Sequence, residues 1–220
     1  MSKREIKTAQ NKQTILKCLL ARMHEEAFEK IKISDLCFDA NISQASFYNY
    51  FPQKSDVLVY YIQLWLVDMH WQILIERKLV GLNAIDALFK LTAQICASQP
   101  QLMAEIIALQ AKTHKVINVP ALGEADKQVA YPNYQGIETM IAESLTALLS
   151  TYIQQAIDAK ELPSNSDIKT LIVSLSATFF SVPMMFNQSP LADIQMAYEQ
   201  QFSLFRHGAS KMFSNKPNYE

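Results

Sequence analysis

Apolar residues recur at helical spacing along almost the whole chain, and runs of strand-like alternation between turn signals are absent from it. Ile15, Leu16, Leu19, Leu20, Met23 and Ala27 form one stripe, which predicts a first helix from about residue 8 to 28. Leu36, Cys37 and Ala40 give a second, short helix its apolar face, and Phe47 and Phe51, spaced i,i+4, give a third. Pro52 suits the first turn of a helix and is expected to open a long one, running to about Lys78 through Leu58, Ile62, Trp65, Leu66, Met69 and Ile73. Asn83 is expected to cap a helix over 84–98, and Pro100 to start one that reaches about Val116. Residues 117–135, with Pro120, Gly123 and Pro132, break the pattern and read as an irregular, functional or mobile segment. Helix resumes from about Gly136 to Lys160, and a turn with an N-cap occupies 162–167. Two last helices follow, at about 167–186 and 191–213, and then a loose tail at 214–220. The predicted fold class is all-α.

Residues 33–54 carry the most specific pattern. Asn41 falls where the chain must turn between two short helices, and Asn tolerates a left-handed backbone better than other side-chain-bearing residues. Ile42 plugs the angle and Ser43 is a good N-cap. With Phe47 and Phe51 turned inward, Gln44, Ser46, Tyr48 and Tyr50 point elsewhere. A short helix that exposes small polar groups and tyrosine hydroxyls suits the DNA major groove. The run reads as a helix-turn-helix.

The same run resembles the N-terminal domain of the TetR (tetracycline-repressor) family of bacterial regulators. The matching residues are Asp35-Leu36-Cys37, Ala40-Asn41-Ile42-Ser43, Ala45-Ser46-Phe47-Tyr48, Tyr50-Phe51 and Lys54, with Ile15-Leu16 and Phe28 agreeing upstream. The chain departs from the family pattern at Asn41 and Ala45 (glycines there), Met23 (usually Phe), Ala27 (Gly) and Lys32, where Thr often caps the second helix. The resemblance implies a three-helix helix-turn-helix domain over 1–52 and a helical effector-binding and dimerisation domain over 53–213, linked by the long helix. In this reading Gln44, Ala45 and Ser46 reach base edges, while Ser43, Tyr48, Tyr50, Lys54, Lys32 and basic residues before the first helix hold phosphates.

Charge agrees with that division. Net charge is only −1, but residues 1–22 carry Lys3, Arg4, Lys7, Lys12, Lys17 and Arg22 against Glu5 alone, whereas residues 57–220 carry 11 basic and 14 acidic side chains. A basic head on a mildly acidic body is the footprint of a two-domain DNA binder. The polar start Met-Ser-Lys-Arg-Glu lacks the apolar centre of a signal peptide, and no apolar run approaches the roughly 18 residues that span a bilayer. Three cysteines, an odd number at core-like positions, suggest a reducing cytoplasm. The expected location is cytoplasmic and nucleoid-associated, with no membrane partner.

The last two helices have wide apolar stripes: Ile168, Leu171, Ile172, Leu175, Phe179 and Val182 on one, Leu191, Ile194, Tyr198, Phe202, Phe205 and Phe213 on the other. Family resemblance implies that they pair with their copies in a homodimer as a four-helix bundle. Leu171, Leu175, Phe179, Tyr198, Phe202 and Phe205 are the expected interface. Resemblance also implies a central effector cavity. Trp65, Met69, Met103, Ile107, Tyr131, Tyr134 and Phe179 are its candidate walls, suited to a small hydrophobic or aromatic ligand. His70, Gln110 and His114 are candidate polar anchors, and 117–135 a candidate lid. For any one of these residues, plain core packing is the simpler alternative.

Enzyme chemistry finds little support. His24-Glu-Glu-Ala-Phe28 lacks the second His of a zinc-protease motif, and there is no Gly-rich phosphate loop, Gly-x-Ser-x-Gly or Cys-x-x-Cys. No cofactor, metal or catalytic residue is expected. The expected protein is a dimeric transcriptional regulator, a repressor released from its double-stranded DNA operator by a small effector. The alternative is a DNA-binding protein with a structural or assembly role and no effector.

Overall fold

Ser2 and Glu5 start the first helix earlier than the apolar stripe suggests. The Ser2 hydroxyl accepts the Glu5 amide at 3.2 Å and the Glu5 carboxylate accepts the Ser2 amide at 2.6 Å, a reciprocal cap. In the computed structural model, which describes residues 1–112, 121–141 and 143–214, α1 therefore runs Lys3–Met23 rather than 8–28. An apolar stripe marks the turns that meet the core, so the polar first turns did not register in it.

The two short helices, α2 (Ile33–Asp39) and α3 (Gln44–Tyr50), lie where the pattern puts them. The long helix α4 is Ser55–Trp71 and begins three residues after Pro52, behind a turn in which the Asp56 carboxylate accepts the Gln53 amide at 3.0 Å. It runs into a wider π turn at Gln72–Glu76. Helix α5 (Gly81–Ser98) does not wait for Asn83. Its first amides are satisfied by side chains far along the chain, Gly81 by Gln155 Oε1 at 3.1 Å and Leu82 by Glu161 Oε2 at 2.9 Å. Gly81 has φ +59°, and a Cβ there would displace the Glu161 carboxylate that accepts the Leu82 amide, so glycine is favoured.

Helix α6 is Pro100–Lys112; its expected end at Val116 lies outside the described residues. The stretch expected to be irregular contains a helix, α7 (Glu124–Ala130), and a single 3₁₀ turn follows at Ile137–Thr139. Helix α8 does not start at Gly136 but at Leu145, capped by the Ser144 hydroxyl, and ends at Asp158. Gly136 serves instead as a left-handed turn residue, φ +76°. Helices α9 (Ile168–Met185, capped by Asp167) and α10 (Leu191–Ser214) close the described chain; the tail expected to be loose lies outside it. Among the described residues there are ten α-helices and no strand, an all-α fold.

The chain forms two compact units, divided within α4 and α6. The first joins Met1–Asp68 to Ala104–Ala142, with Ile15, Leu19, Leu36, Phe47, Phe51, Val57 and Leu58 at its centre and α7 packed along α1. The second joins Met69–Met103 to Glu143–Glu220 around Ile85, Leu88, Phe89, Leu149, Ile153, Leu175 and Ile194, with α5 packed on α8 and α10, and α9 on α8 and α10.

One sequence expectation needs correction. Helix α9, 18 residues at a mean hydropathy of 1.5, is long and apolar enough by length and composition to cross a membrane, and only 28% of it is buried within the chain. Scattered Ser and Thr break up its apolar run without making it polar.

Candidate nucleic-acid interface

The turn between α2 and α3 is built by local chemistry. Asn41 adopts φ +52°, the left-handed conformation expected of it. Its amide reaches the Phe38 carbonyl at 3.1 Å and the Ile42 amide reaches Cys37 at 3.0 Å, closing α2 as a Schellman motif. Ser43 caps α3, accepting the Ser46 amide at 3.1 Å, and its hydroxyl lies 2.9 Å from that of Ser46. Phe47 and Phe51 are both buried, 5.9 Å apart. Gln44, Ala45, Tyr48 and Asn49 are consequently exposed, two i,i+4 pairs on one side of a short helix. Asn49 escaped the sequence reading; its spacing from Ala45 was the available signal. Phe38 on α2, 85% exposed, was also missed.

The remaining named residues divide by what holds them. Ser46 is half-buried and engaged with Ser43. Tyr50, also half-buried, accepts Asn11 Nδ2 at 2.9 Å and so ties the end of α3 to α1. Lys32 is exposed and makes no side-chain cap for α2. Lys54 is the most committed. Its ammonium donates to the carbonyls of Phe28 at 2.5 Å, Ile31 at 2.7 Å and Glu29 at 3.3 Å, and lies 4.4 Å from the Phe28 ring centre. Three protons meet three carbonyls, so a phosphate contact would require one of them to be given up. Burial lowers the Lys54 pKa, against the pull of Glu29, Glu105 and Glu26.

Two cations of the basic head are likewise occupied. Arg22 grips Asp39 with two bonds, Nε–Oδ2 at 2.5 Å and Nη2–Oδ1 at 3.2 Å, tying α1 to α2, and lies within 4.0 Å of Glu26 and Asp35. That bond holds the Asp39 carboxyl below its usual range. Lys12 pairs with Asp126 at 3.2 Å. Lys3, Arg4, Lys7, Lys17 and Lys30 stay exposed.

No family model matches the sequence, and no curated protein matches it significantly. Solved structures do match. The ketosteroid transcriptional regulator KstR2 of Mycobacterium tuberculosis superposes with a TM-score of 0.52 at 12% identity, over 90% of this chain and 94% of that one. This is the TetR-regulator fold. A TetR family transcriptional regulator from Chloroflexus aurantiacus (TM-score 0.49, 17% identity, 90% of this chain and 93% of that one) and the MbdR regulator from Azoarcus sp. CIB (0.44, 12%, 91% and 97%) are also similar.

Within this fold, the expected effector walls are distributed over both units. Trp65, Ile107, Tyr131 and Tyr134 belong to the first, Met69, Met103 and Phe179 to the second. Tyr131 and Tyr134 stack at 5.2 Å, and the Tyr131 hydroxyl donates to the Leu64 carbonyl at 3.0 Å. Of the expected anchors, His70 bonds the Tyr152 hydroxyl at 2.9 Å, Gln110 is exposed, and His114 lies outside the described residues.

The expected interface residues Leu171, Leu175, Phe179, Tyr198, Phe202 and Phe205 are all buried in the chain's own second unit, so they are core rather than free surface. Phe89 stacks on Tyr198 at 4.9 Å and meets Phe202 edge-on at 5.7 Å. The apolar surface left open on α9 and α10 is a different set: Val173 (69% exposed), Leu204 (67%), Met184, Met185, Met196 and Met212. A groove of about 300 Å³ between the two helices is lined by Ser174, Thr178, Leu204 and Met212 among others. The strongest apolar stripe on each helix is the one its own chain buries, and Val173, Leu204, Met196 and Met212 lie outside the stripes expected from sequence.

Proposed function

We propose that this chain is a sequence-specific, dimeric DNA-binding transcriptional regulator. The observation that carries the reading is α3: a short capped helix whose one side is locked by Phe47 and Phe51 while Gln44, Ala45, Tyr48 and Asn49 stand open. Gln and Asn pair in bidentate fashion with adenine, and a small residue between them allows close approach. Exposed Lys3, Arg4, Lys7, Lys30 and Lys32 supply phosphate contacts, with Ser43, Ser46, Tyr48 and Tyr50 beside them. A second copy packs on the exposed side of α9 and α10, through Val173, Leu204 and Met212, which pairs two heads for a two-fold symmetric site.

The finer reading is a repressor released by a small hydrophobic or aromatic effector, with Trp65, Ile107, Tyr131 and Tyr134 in the first unit as residues through which it acts. An effector that favours the DNA-incompetent form by 1–3 kcal/mol weakens DNA binding by about 5- to 150-fold.

Selection from a random duplex DNA library with the purified protein is the test. Enrichment of an inverted repeat, with half-sites about 34–36 Å apart or a multiple of that, supports the reading. A library that emerges without any enriched motif overturns it.

A further inference from the structure

The folded segment Glu124–Met140, expected from sequence to be irregular up to residue 135 and helical from Gly136, is fastened to the helices that carry α3. Asp126, at the centre of the fastening, is only 6% exposed. Its two carboxylate oxygens each lie 3.2 Å from Lys12 Nζ on α1; Oδ1 also accepts the Tyr60 hydroxyl of α4 at 3.1 Å, and Oδ2 the Gly123 amide at 3.0 Å. Gln13, next to Lys12, donates to the same Tyr60 hydroxyl at 3.3 Å. One carboxylate thus bonds both α1 and α4. A buried charge satisfied this fully is costly to strand, so the three helices hold together or part together.

The contacts continue toward α3. The Tyr60 ring meets Phe51 edge-on at 5.6 Å, Phe51 packs on Phe47 at 5.9 Å, and the Phe51 amide closes α3 on the Phe47 carbonyl at 2.8 Å. At the C-terminal end of α7, Tyr131 donates to the Leu64 carbonyl, one turn along α4 from Tyr60. Lys127, itself buried, donates to the Met140 carbonyl at 2.5 Å and folds the segment onto itself. Burial, with the Asp126 charge added, pushes the Tyr60 ionisation up, so its hydroxyl remains a donor.

We propose that Glu124–Met140 is a positioning strap: bonded through Asp126 to Lys12 and Tyr60, it sets α4 against α1 and thereby holds the recognition helix α3 in place, and its release loosens α3. The role in DNA binding rests on the proposed function; the mechanical coupling does not. The strap is a two-state element within the first unit, and whatever detaches Asp126 biases α3 through packed aromatic rings.

The test uses the full chain and amide hydrogen exchange. Tyr60→Phe keeps the ring against Phe51 and removes only the hydroxyl, with its bonds to Asp126 and Gln13; Asp126→Asn removes the charge that holds Lys12. Both are expected to speed exchange of the 47–51 amides by roughly 5- to 30-fold, while α8 in the second unit keeps its protection, which shows the variants folded. The double variant should exceed neither single variant by much, because both break one linkage. Faster exchange confined to 124–140, with 47–51 unchanged, overturns the strap. Affinity for a duplex selected by the wild-type protein is measured alongside and should fall in both variants. If the wild-type protein selects no duplex but the exchange effect is present, the function fails and the strap stands; a selected duplex bound unchanged by variants with a loosened α3 overturns the link to DNA.

Discussion

Tyr198 donates its hydroxyl to the Phe179 carbonyl at 2.9 Å, and the bond is buried. In α9 that carbonyl would be matched by the amide of residue 183, which is proline and has none. Tyr198, on α10, supplies the missing donor and stacks on Phe89 at the same time. The Pro inside α9 is tolerated because its neighbour replaces the lost bond.

Tyr198→Phe should therefore destabilise the protein by about 1–3 kcal/mol, the cost of taking a buried donor from the Phe179 carbonyl. In a Pro183→Ala background, where the helix regains its own donor, the same change should cost clearly less. Urea unfolding of the four proteins of this cycle checks it; strictly additive effects would show that the two residues do not share the carbonyl.

Gln44→Ala should relax sequence preference at one base pair by roughly 1–3 kcal/mol, and Asn49→Ala should do so at a neighbouring one. Binding to a panel of single-base variants of the selected duplex measures both. An unchanged ranking of variants for Gln44→Ala removes that side chain from base reading.

Leu204→Asp, on the open side of α10, should produce folded monomer, since the residue is 67% exposed in the single chain. Phe202→Asp, 5% exposed, should instead unfold the second unit by burying an unpaired charge. Sedimentation and circular dichroism together separate these outcomes. A wild-type chain that sediments as a monomer at micromolar concentration rejects the dimer.

Lys54→Met takes the ammonium from the carbonyls at 28, 29 and 31, of which that of Phe28 keeps the Ile31 amide, and should lower stability by about 1–3 kcal/mol. Denaturant unfolding reads this directly. Stability unchanged, with a DNA salt slope smaller by about one, would make Lys54 a phosphate ligand rather than a brace.

Burial holds the His70 imidazole below its ordinary value of 6.5, against a smaller upward pull from Glu143. Below pH 6.5 the unfolded chain takes up the proton more readily than the folded one, so this part of the stability is full above 6.5 and declines as the pH falls through the window beneath it. Unfolding free energies at pH 7 and 5.5 should drop more in the wild type than in His70→Gln. Equal drops would show that the ring takes its proton equally in both states.

Much of the helix-turn-helix was readable from residues alone because its determinants are short-range. Asn41 in a left-handed turn, Ser43 on the Ser46 amide and Phe47 four residues from Phe51 act within a few residues of each other. The end of α1 at Met23 and the start of α8 at Leu145 were placed less well, because caps and left-handed turns decide a boundary and apolar periodicity does not record them.

What the sequence by itself determined is the helical class, the number and order of the long elements, and the helix-turn-helix with its capped second helix α3. The tertiary structure alone decided which of two apolar stripes on α9 and α10 the chain buries, because both stripes have helical spacing and only the opposing helices select one. It alone decided that Lys54 and Arg22 brace the head, since their partners are carbonyls and carboxylates brought near by the turns of α1 to α4. And it alone joined Asp126 to Lys12: a carboxylate and an ammonium 114 positions apart carry no mark of each other in the chain until α7 packs along α1 and buries the carboxylate.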